Sequence, residues 1–396
     1  MRILFVHEVS YTKKVIYEMH EFPELLSLKG HEITFLEFDE GRKFWDSRSK
    51  STQTKISGRV HPNASINLSR PFQLGIQGLD RLLAVWTVIP KLRKLLKQDA
   101  FDVVVLYAVP TFGPQAISIA RKAGIPVVFR ALDVSHKIRS SLLSPLIKMV
   151  EKFVYKNATL LSANNQAMAD YCKNLSGRTK PTEVHYPPLD LEHFKSPAKD
   201  LTLAAALGIA ESDKVITYMG SFFYFSGLKA AIEEFSKSAE PDQKLLLIGG
   251  GEQDRELREQ VRRLGLTSQV IFTGFVPYAE LPKYLRLADV AINTLEATLV
   301  ANVAFPNKVL QYMAAGLPVV STKLDGLVKT FPGDSGITWA ADPGGVIRAA
   351  LDISKQPTKQ QESKIKQSTA LEIIFDIDRA VVAFESALET SSRLKL

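Results

Sequence analysis

Short apolar segments alternate along this chain with longer segments in which apolar residues recur every three or four positions. The first pair is Arg2–Val6, which is almost continuously apolar, and Val15–Lys29, which has helical spacing and ends at Gly30. Short continuous apolar runs are typical of strands buried on both faces, and the longer spacing is typical of helices packed on one side. The alternation predicts an α/β fold built on doubly wound parallel sheets.

Elements of the same two kinds continue along the chain. In the first half, the further predicted strands are His31–Phe38, Asp102–Tyr107, Pro126–Arg130 and Ala158–Ser162. The further predicted helices there are Leu79–Lys97, interrupted at Pro90, Phe112–Ala123 and Leu142–Lys156. Residues 41–78 are rich in Ser, Arg and Lys and predict no element. In the second half, the predicted strands are Val215–Met219, Lys244–Ile248, Val270–Thr273, Val290–Asn293, Val319–Ser321 and Ile337–Trp339.

A proline-rich stretch separates the two series of elements. Thr179–Ala198 lacks periodicity and contains Pro181, Pro187, Pro188 and Pro197, which is typical of a linker. We therefore predict one Rossmann-like domain over residues 1–185, a second over residues 200–360 and a helical segment over residues 361–396. Ligands of such sheets bind outside the carboxyl ends of the strands, so we expect the chemistry in the loops there.

Composition narrows the class of protein. The chain has 396 residues, of which 45% are hydrophobic and 23% charged, as in a globular protein large enough for two domains. No apolar run approaches the length of a membrane span, and the first segment is charged too early for a signal peptide. The single cysteine, Cys172, excludes an internal disulfide and fits a reducing cytoplasm. We therefore expect a cytoplasmic protein.

Positive charge is concentrated in the first half of the chain. Residues 1–200 carry 29 Lys and Arg against 19 Asp and Glu, whereas residues 201–396 carry 21 against 23. Such a basic surface suits anionic lipid, nucleic acid or a phosphorylated acceptor, although a solvated basic face is also common. No zinc-finger spacing, RNA-binding aromatic signature or basic zipper is present, which argues against nucleic acid as a partner.

One predicted helix lies in the most basic window. Residues 42–97 hold 12 basic residues and two acidic ones. The helix Leu79–Lys97 places Leu82, Leu83, Trp86, Ile89 and Leu92 at helical spacing. The basic face predicts docking on an anionic membrane, whereas the apolar face alone equally suits packing on its own domain.

The most informative segment is Phe305–Val320. Pro306, Asn307 and Lys308 form a short polar turn that opens a helix, and the helix ends at a glycine before a Pro-Val-Val strand. A helix N-terminus carries unpaired N–H groups and a partial positive charge, to which Lys308 adds a full charge, so it suits a phosphate. Gln311 faces the same side one turn on and can bond hydroxyl groups. The residues alone also fit an ordinary helix-to-strand unit with an exposed lysine.

This segment resembles the donor-site helix of the family-4-type glycosyltransferases, which have the GT-B fold. That family commonly reads Pro-Asn-Lys, two apolar residues, Glu-Tyr-Met-Ala-Ala-Gly and then Pro-Val-Val. The resemblance continues through Lys214–Ala340, about a third of the chain, and is weak in the first 200 residues. It implies two Rossmann-like domains facing each other across a cleft, with the last helix, near Phe375–Leu388, crossing back onto the first domain.

The resemblance also implies an activity. Members of this family transfer a sugar, here of the hexosyl type, from a nucleoside-diphosphate donor, for which we expect UDP. They use no cofactor, generally have no identified covalent nucleophile, and retain the anomeric configuration. The chain has no Asp-x-Asp motif to hold a divalent ion, so we expect no metal site. The expected acceptor belongs to the cell envelope or to a polysaccharide.

Loops of the second domain match the donor-binding positions of the family. The residues so implied are Gly220, Ser221, Gly227, Gly250, Glu252, Phe275, Val276, Asn307, Lys308 and Gln311. Two departures change the picture. The family's Arg and Lys in the first loop are replaced here by Ser221 and Ser226, which leaves the charge to Lys308 and to Lys229. The family's two signature glutamates are replaced by Val303 and Gln311, of which only the glutamine can bond the ribose.

The acceptor side is expected in the loops of the first domain. Asp133 matches the second position of a His-Asp or Arg-Asp pair that lies near the reacting centre in many family members. A carboxylate there can take a proton or hold a hydroxyl group, but it also suits a helix N-cap. Arg130 and His136 are further candidates for sugar contacts. His7 and Glu8, after the first strand, are candidates too, although their loop equally suits capping of the next helix.

These observations predict a glycosyltransferase with Asp133 and Lys308 as catalytic residues. We expect it to be peripheral at the inner face of a membrane. The departures from the family pattern leave a rival, a catalytically silent relative that acts as a partner or nucleotide-sugar sensor. An epimerase or phosphorylase of the same fold is expected to have a denser set of histidines and carboxylates around the cleft.

Overall fold

The computed structural model describes residues 1–14, 16–38, 52–73, 80–107, 111–138, 142–195 and 198–394. The chain forms two compact units. The first consists of Met1–Pro188 together with Asp378–Leu396, and the second of Leu189–Ile377. Each unit is built on its own sheet, and the predicted α/β class is confirmed.

The first unit contains an eight-stranded sheet. Its elements before the second unit are β1 (Arg2–Val6), α1 (Glu18–Leu28), β2 (Glu32–Leu36), β3 (Thr52–Ser57), β4 (Ser65–Arg70), α2 (Asp80–Gln98), β5 (Val103–Leu106), α3 (Gly113–Lys122), β6 (Val127–Ala131), α4 (Ser135–Ile138), α5 (Ser144–Asn157), β7 (Leu160–Ala163), α6 (Gln166–Ser176) and β8 (Thr182–Val184). The strand order is β3-β4-β2-β1-β5-β6-β7-β8, and the β3–β4 pair alone is antiparallel in this sheet as described.

The second unit contains a six-stranded parallel sheet. Its elements are α7 (Leu191–Phe194), α8 (Leu201–Ala206), β9 (Lys214–Ser221), α9 (Leu228–Ser238), β10 (Gln243–Gly250), α10 (Asp254–Arg263), β11 (Val270–Gly274), α11 (Leu281–Leu285), β12 (Val290–Asn293), α12 (Leu299–Val303), α13 (Asn307–Ala314), β13 (Val319–Thr322), α14 (Asp325–Thr330), β14 (Thr338–Ala340), α15 (Pro343–Ser354) and α16 (Pro357–Ile374). The strand order is β11-β10-β9-β12-β13-β14.

The last helix, α17 (Ile377–Ser392), packs on the first unit. Phe384 is fully buried and its ring lies 4.4 Å from that of Phe22 in α1. Glu385 accepts from His31 at 2.6 Å and from Lys29 at 3.0 Å. Both apolar burial and ion pairing therefore attach the end of the chain to its beginning.

The predicted interruption of the second helix at Pro90 is wrong. α2 runs through Pro90, whose own side chain is exposed. A proline inside a helix costs about 3 kcal/mol, because it removes a backbone hydrogen bond and crowds the preceding turn. Burial of Val88, Ile89 and Leu92 on the opposite side offsets that cost, since each such side chain contributes about 1.5–3 kcal/mol.

Several further elements of the described structure have no counterpart in the sequence prediction. β3 and β4 lie within residues 41–78, where the polar composition obscures an alternating strand pattern. β8 and α7 lie within Thr179–Ala198, so much of the predicted linker is ordered structure. α6 was also missing from the prediction; it is capped by the Asn165 side chain, which accepts from the backbone N–H of Met168.

Candidate functional site

Glycines at the carboxyl ends of two neighbouring strands give the second unit a backbone-lined edge. Between β9 and β10, Gly220 pairs with Gly249 and Ser221 pairs with Gly250. A Cβ atom on Gly249 would stand 2.1 Å from the carbonyl oxygen of Gly220, so the strands meet too closely for a side chain there. Gly220 itself has a φ of +137°, which residues with side chains rarely adopt.

The start of α13 is fixed beside these glycines by Tyr312. The backbone N–H of Met219 donates a hydrogen bond of 2.6 Å to the phenolic oxygen of Tyr312. The helix begins after Pro306, which supplies no side-chain cap, and its first turn contains no acidic residue. The N–H groups left unpaired at a helix start are therefore available to an anion at this edge of the sheet.

Lys308 adds a full positive charge at the same place. Its Nζ atom lies 3.8 Å from the centre of the Tyr218 ring, and a Cβ on Gly220 would stand 3.2 Å from that Nζ. The half-buried side chain forms no ion pair with the residues that the structure describes. Desolvation by the surrounding protein lowers the pKa of Lys308 to about 7. A desolvated cation without an acidic partner, next to a helix start, suits a diphosphate.

Two polar side chains extend this edge along α13. Asn307 is the first residue of the helix, and Gln311 lies one turn later; both are half-buried. Neither side chain has a hydrogen-bond partner within the described part of the chain. Their amide groups are therefore free to donate to and accept from a ligand.

The predicted contacts after β10 and β11 differ in exposure. Glu252 is exposed and has no ion pair among the described residues. Phe275 is 66% exposed, and its ring would stand 3.1 Å from a Cβ on Gly250. Val276 beside it is half-buried. An exposed aromatic ring over a glycine strand end offers a flat apolar surface to a planar group.

Backbone packing holds the loop between β9 and α9. Gly227 has a φ of +71°, and a Cβ on it would stand 1.9 Å from the carbonyl oxygen of Thr294, so glycine is required. Thr294 Oγ1 donates a hydrogen bond of 2.7 Å to the carbonyl oxygen of Ser226, which is fully buried. Ser221 is half-buried. Ser226 therefore helps to hold the loop, and neither of the two serines at the positions of the family's cations adds charge.

Among the predicted sources of positive charge at this edge, Lys308 is the lysine that remains available to a ligand. Lys229, the second predicted source of positive charge, forms an ion pair of 2.5 Å with Glu256 of α10. Val303, at one of the glutamate positions, is only 6% exposed. Of the two lysines, only Lys308 has no acidic partner over the described ranges.

In the first unit, the predicted sugar contacts after β1 are engaged with neighbouring side chains. Both carboxylate oxygens of Glu8 accept from Thr111, one from the backbone N–H at 2.8 Å and one from Oγ1 at 2.9 Å. The ring of His7 stacks on that of Tyr107 at 5.0 Å, and its Nε2 lies 2.9 Å from the hydroxyl of Tyr17. Glu8 therefore ties the loop after β1 to the start of α3.

Arg130 lies in the core of the first unit, 1% exposed. Its guanidinium donates to both carboxylate oxygens of Glu18, at 2.6 and 2.8 Å, and to Ser162 Oγ at 2.9 Å. Such a fork-shaped pair uses the donors that a sugar would need. The structure therefore gives Arg130 a structural role and leaves it no exposed surface for a sugar.

A carboxyl–imidazole group lies at the carboxyl end of β6. His136 donates from its backbone N–H to Glu151 of α5 at 3.3 Å, and its Nδ1 bonds the other carboxylate oxygen. The Asp133 side chain reaches solvent, yet the dense protein around it desolvates the carboxyl group and, together with Glu151, raises its pKa to about 6. Asp133 is thus suited to proton exchange near neutral pH.

Four residues that organise these sites were not predicted. Tyr312 and Tyr218 position α13 and Lys308, and Glu18 and Glu151 hold Arg130 and His136. A signal existed for Glu151, because it occupies an inward position of α5, where the helical spacing calls for an apolar residue. The tyrosines carry no such signal, since a buried aromatic residue in a strand, such as Tyr218, or on the inward face of a helix, such as Tyr312, is ordinary core.

Two absences apply to the described residues alone. No group of three or more His, Cys, Asp or Glu side chains among them has the arrangement of a metal site. None of the described helices combines the length and apolarity needed to cross a membrane.

Two family profiles match the chain. The profile described as Glycosyl transferase 4-like domain matches residues 30–188, and that described as Glycosyl transferases group 1 matches residues 213–356. The first profile covers the sheet of the first unit except β1, the second covers the whole sheet of the second unit, and together they span most of the chain.

Curated relatives and solved structures agree with the profiles. N-acetyl-alpha-D-glucosaminyl L-malate synthase of Bacillus anthracis is 25% identical over 53% of this chain and 54% of its own length, so the chain spans about half of that relative. The 2-deoxystreptamine glucosyltransferase of Streptomyces kanamyceticus is 25% identical over 71% of this chain and 74% of its own length. The crystal structure of HepE from Anabaena in complex with UDP has a TM-score of 0.74 at 18% identity, covering 98% of this chain and 100% of HepE.

The two parallel-sheet units and these similarities define a GT-B glycosyltransferase fold. The chain belongs to the family-4-type glycosyltransferases, as its donor-site helix predicted.

Proposed function

We propose that the chain transfers a sugar from a UDP-linked donor to a cell-envelope or polysaccharide acceptor, without a metal ion and with retention of the anomeric configuration. The observation that carries the proposal is Lys308. Its ammonium is desolvated, lacks an acidic partner among the described residues and stands beside Gly220 at the start of α13. That arrangement supplies positive charge where a diphosphate can approach the backbone closely.

The reaction needs that charge. When the anomeric carbon–oxygen bond breaks, its electron pair goes to the diphosphate, and the acceptor oxygen bonds to the anomeric carbon. Lys308 and the first N–H groups of α13 stabilise the charge on the leaving diphosphate, and each well-placed donor of this kind contributes roughly 3 kcal/mol. The departing phosphate takes the acceptor proton, and Asp133 holds the acceptor hydroxyl group.

The nucleoside is assigned to the residues around the same edge. Gln311 bonds the ribose hydroxyl groups through its amide, and the loop with Phe275 and Val276 receives the base. HepE has been solved with UDP and with UDP-glucose, which supports a uridine nucleotide for this chain as well. Glu252, after β10, is assigned to the sugar.

The acceptor class is proposed from the positive charge of the first half of the chain. The names of the two curated relatives indicate acceptors as different as malate and 2-deoxystreptamine, so they do not define one for this chain. The excess of basic residues in the first half suits an anionic, membrane-associated acceptor.

The test is binding and turnover of nucleotides. We expect UDP to bind more tightly than GDP or ADP in calorimetry, and UDP-sugars to be hydrolysed or transferred in preference to GDP- and ADP-sugars. Lys308→Ala should weaken UDP binding about tenfold or more, because a hydrogen bond to a charged group contributes about 1.5–3 kcal/mol.

Lys229→Ala is the matched control, because it removes a lysine that is already paired with Glu256. It should leave UDP affinity unchanged. Equal UDP affinity in wild type and Lys308→Ala would refute the assigned site. UDP binding without turnover of any donor sugar would instead support the silent relative.

A further inference from the structure

Helix α5 exposes a row of large apolar side chains. Leu146, Met149 and Phe153 are 53%, 66% and 44% exposed, and they lie on one face because they are three and four positions apart. Leu142, just before the helix, is fully exposed and extends the row. Single exposed apolar residues are ordinary, but a contiguous row of four marks an interaction surface.

Lysines run along one flank of this row. Lys148, Lys152 and Lys156 follow one another at four-residue intervals, and all three are exposed. None forms an ion pair with a described residue. The only acidic residue of the helix, Glu151, is buried on the opposite face, so no negative charge offsets the three lysines along α5.

Further cations lie at the end of the helix. The carbonyl oxygen of Asn157, the last residue of α5, accepts from Arg121 at 3.4 Å and from Lys180 at 3.2 Å. Desolvation lowers the pKa of Lys180, and the positive charge of the nearby Arg121 lowers it further. The basic flank therefore continues beyond the helix.

The helix expected to dock from the sequence, α2, has no comparable row. Ile89 and Leu92 are buried in the first unit, and the Leu82 side chain lies outside the described residues. Trp86 is 75% exposed, and it is the only exposed large apolar side chain among the described positions of α2.

We propose that the α5 face, defined as Leu142, Leu146, Met149 and Phe153 with Lys148, Lys152 and Lys156, docks the protein on an anionic lipid bilayer. The apolar row inserts among the lipid headgroups while the lysines contact their phosphates. A second copy of the chain fits less well, because a two-fold contact would bring the lysines of both copies together. The occupant with complementary charge is an anionic surface.

The position of α5 connects docking to the proposed function. The buried face of the same helix holds His136 through Glu151, beside Asp133. A membrane under α5 would therefore lie next to the acceptor-side group. This step rests on the proposed function and narrows its acceptor to a molecule carried in the bilayer.

The experiment is sedimentation of the full chain with vesicles. Phosphatidylcholine vesicles are compared with vesicles of phosphatidylcholine and phosphatidylglycerol in equal parts. We expect binding to the second kind only, with release at high salt. Lys148→Gln/Lys152→Gln/Lys156→Gln should weaken binding roughly a hundredfold, since each lysine near an anionic surface strengthens it about fivefold. Leu146→Ser/Met149→Ser/Phe153→Ser should abolish stable sedimentation.

The matched control removes the same charge from α2. Arg93, Lys94 and Lys97 are exposed there, so Arg93→Gln/Lys94→Gln/Lys97→Gln tests bulk charge without touching α5. This control should sediment as wild type does. The proposal is overturned if the control loses as much vesicle binding as the α5 lysine variant. It is also overturned if the serine variant sediments with vesicles as wild type does. A dimer in ultracentrifugation that the serine variant splits into monomers overturns it as well.

UDP calorimetry separates this proposal from the proposed function. The α5 variants should bind UDP as wild type does, which also shows that they are folded. Wild-type protein that binds UDP but neither kind of vesicle refutes docking and leaves the donor site intact. Protein that sediments with anionic vesicles but binds no nucleotide refutes the donor site and leaves docking intact.

Discussion

Donor affinity should depend on pH through Lys308. The pKa of this side chain is lowered to about 7 by desolvation, so its charge changes within the accessible range. With that pKa, the ammonium form falls from about nine tenths at pH 6 to about one hundredth at pH 9. A diphosphate beside the amine raises its pKa in the complex, so binding takes up a proton when the free protein has lost it.

The expected size of the effect follows from these fractions. The affinity for UDP-glucose should fall roughly a hundredfold between pH 6 and pH 9, about tenfold per pH unit above 7. UDP-glucose is preferable to UDP as the ligand, because the terminal phosphate of a free nucleotide titrates itself near about pH 6.

Lys308→Met tests the assignment, since methionine fills similar space without charge. At pH 6 the variant should bind roughly a hundredfold more weakly than wild type, at the upper end of what loss of a charge-assisted hydrogen bond costs. Its affinity should not change with pH, so the two curves converge near pH 9. Calorimetry in buffers of different ionisation enthalpy should show proton uptake at pH 8 for wild type only.

Two results would refute this reasoning. A flat wild-type profile would mean that Lys308 stays charged throughout or does not contact the donor. A variant that keeps the wild-type slope would mean that another group titrates. Lys308→Arg is the control for charge alone, because arginine remains protonated over the whole range and should flatten the curve.

Further substitutions test the other assignments. Gln311→Leu should raise the dissociation constant for UDP while Gln311→Glu is tolerated, and a nucleotide-bound structure with Gln311 far from the ribose would contradict this role. Arg130→Met should lower the free energy of unfolding in urea by about 3–5 kcal/mol, because the Glu18 carboxylate is left buried and unpaired. Adding Glu18→Gln to the same protein should recover part of that loss. If stability is not recovered, loss of the Arg130–Glu18 pair is not the cause. Turnover should rise with pH through about 6 as Asp133 ionises, and Asp133→Asn should remove that limb of the profile; a limb that persists in the variant belongs to another group.

The local patterns in the sequence determined the class of the fold. Continuous apolar runs predicted strands buried on both faces, and β1, with Ile3, Leu4 and Phe5 all fully buried, is an example. These patterns are readable because strand and helix periodicities extend over only a few residues. The turn Pro306-Asn307-Lys308 likewise marked the start of α13, since its signals are neighbours in the chain.

Predictions from the sequence were wrong where tertiary packing competes with a local conformational preference. Pro90 predicts a break in its helix, but α2 continues through it because Val88, Ile89 and Leu92 gain more from burial than the backbone loses. Polar composition hid β3 and β4, whose pairing with each other supplies backbone hydrogen bonds that composition cannot show. Such compensation depends on residues that are distant in sequence.

The roles of individual side chains were decided by tertiary structure. Arg130 looked available for a sugar, but Glu18, 112 positions earlier, occupies its guanidinium. Desolvation in the folded chain lowers the pKa of Lys308, and a helix-start motif does not reveal that burial. A motif specifies which group is present; its charge state and its freedom to bind depend on desolvation and on partners that only the folded chain brings within a few ångströms.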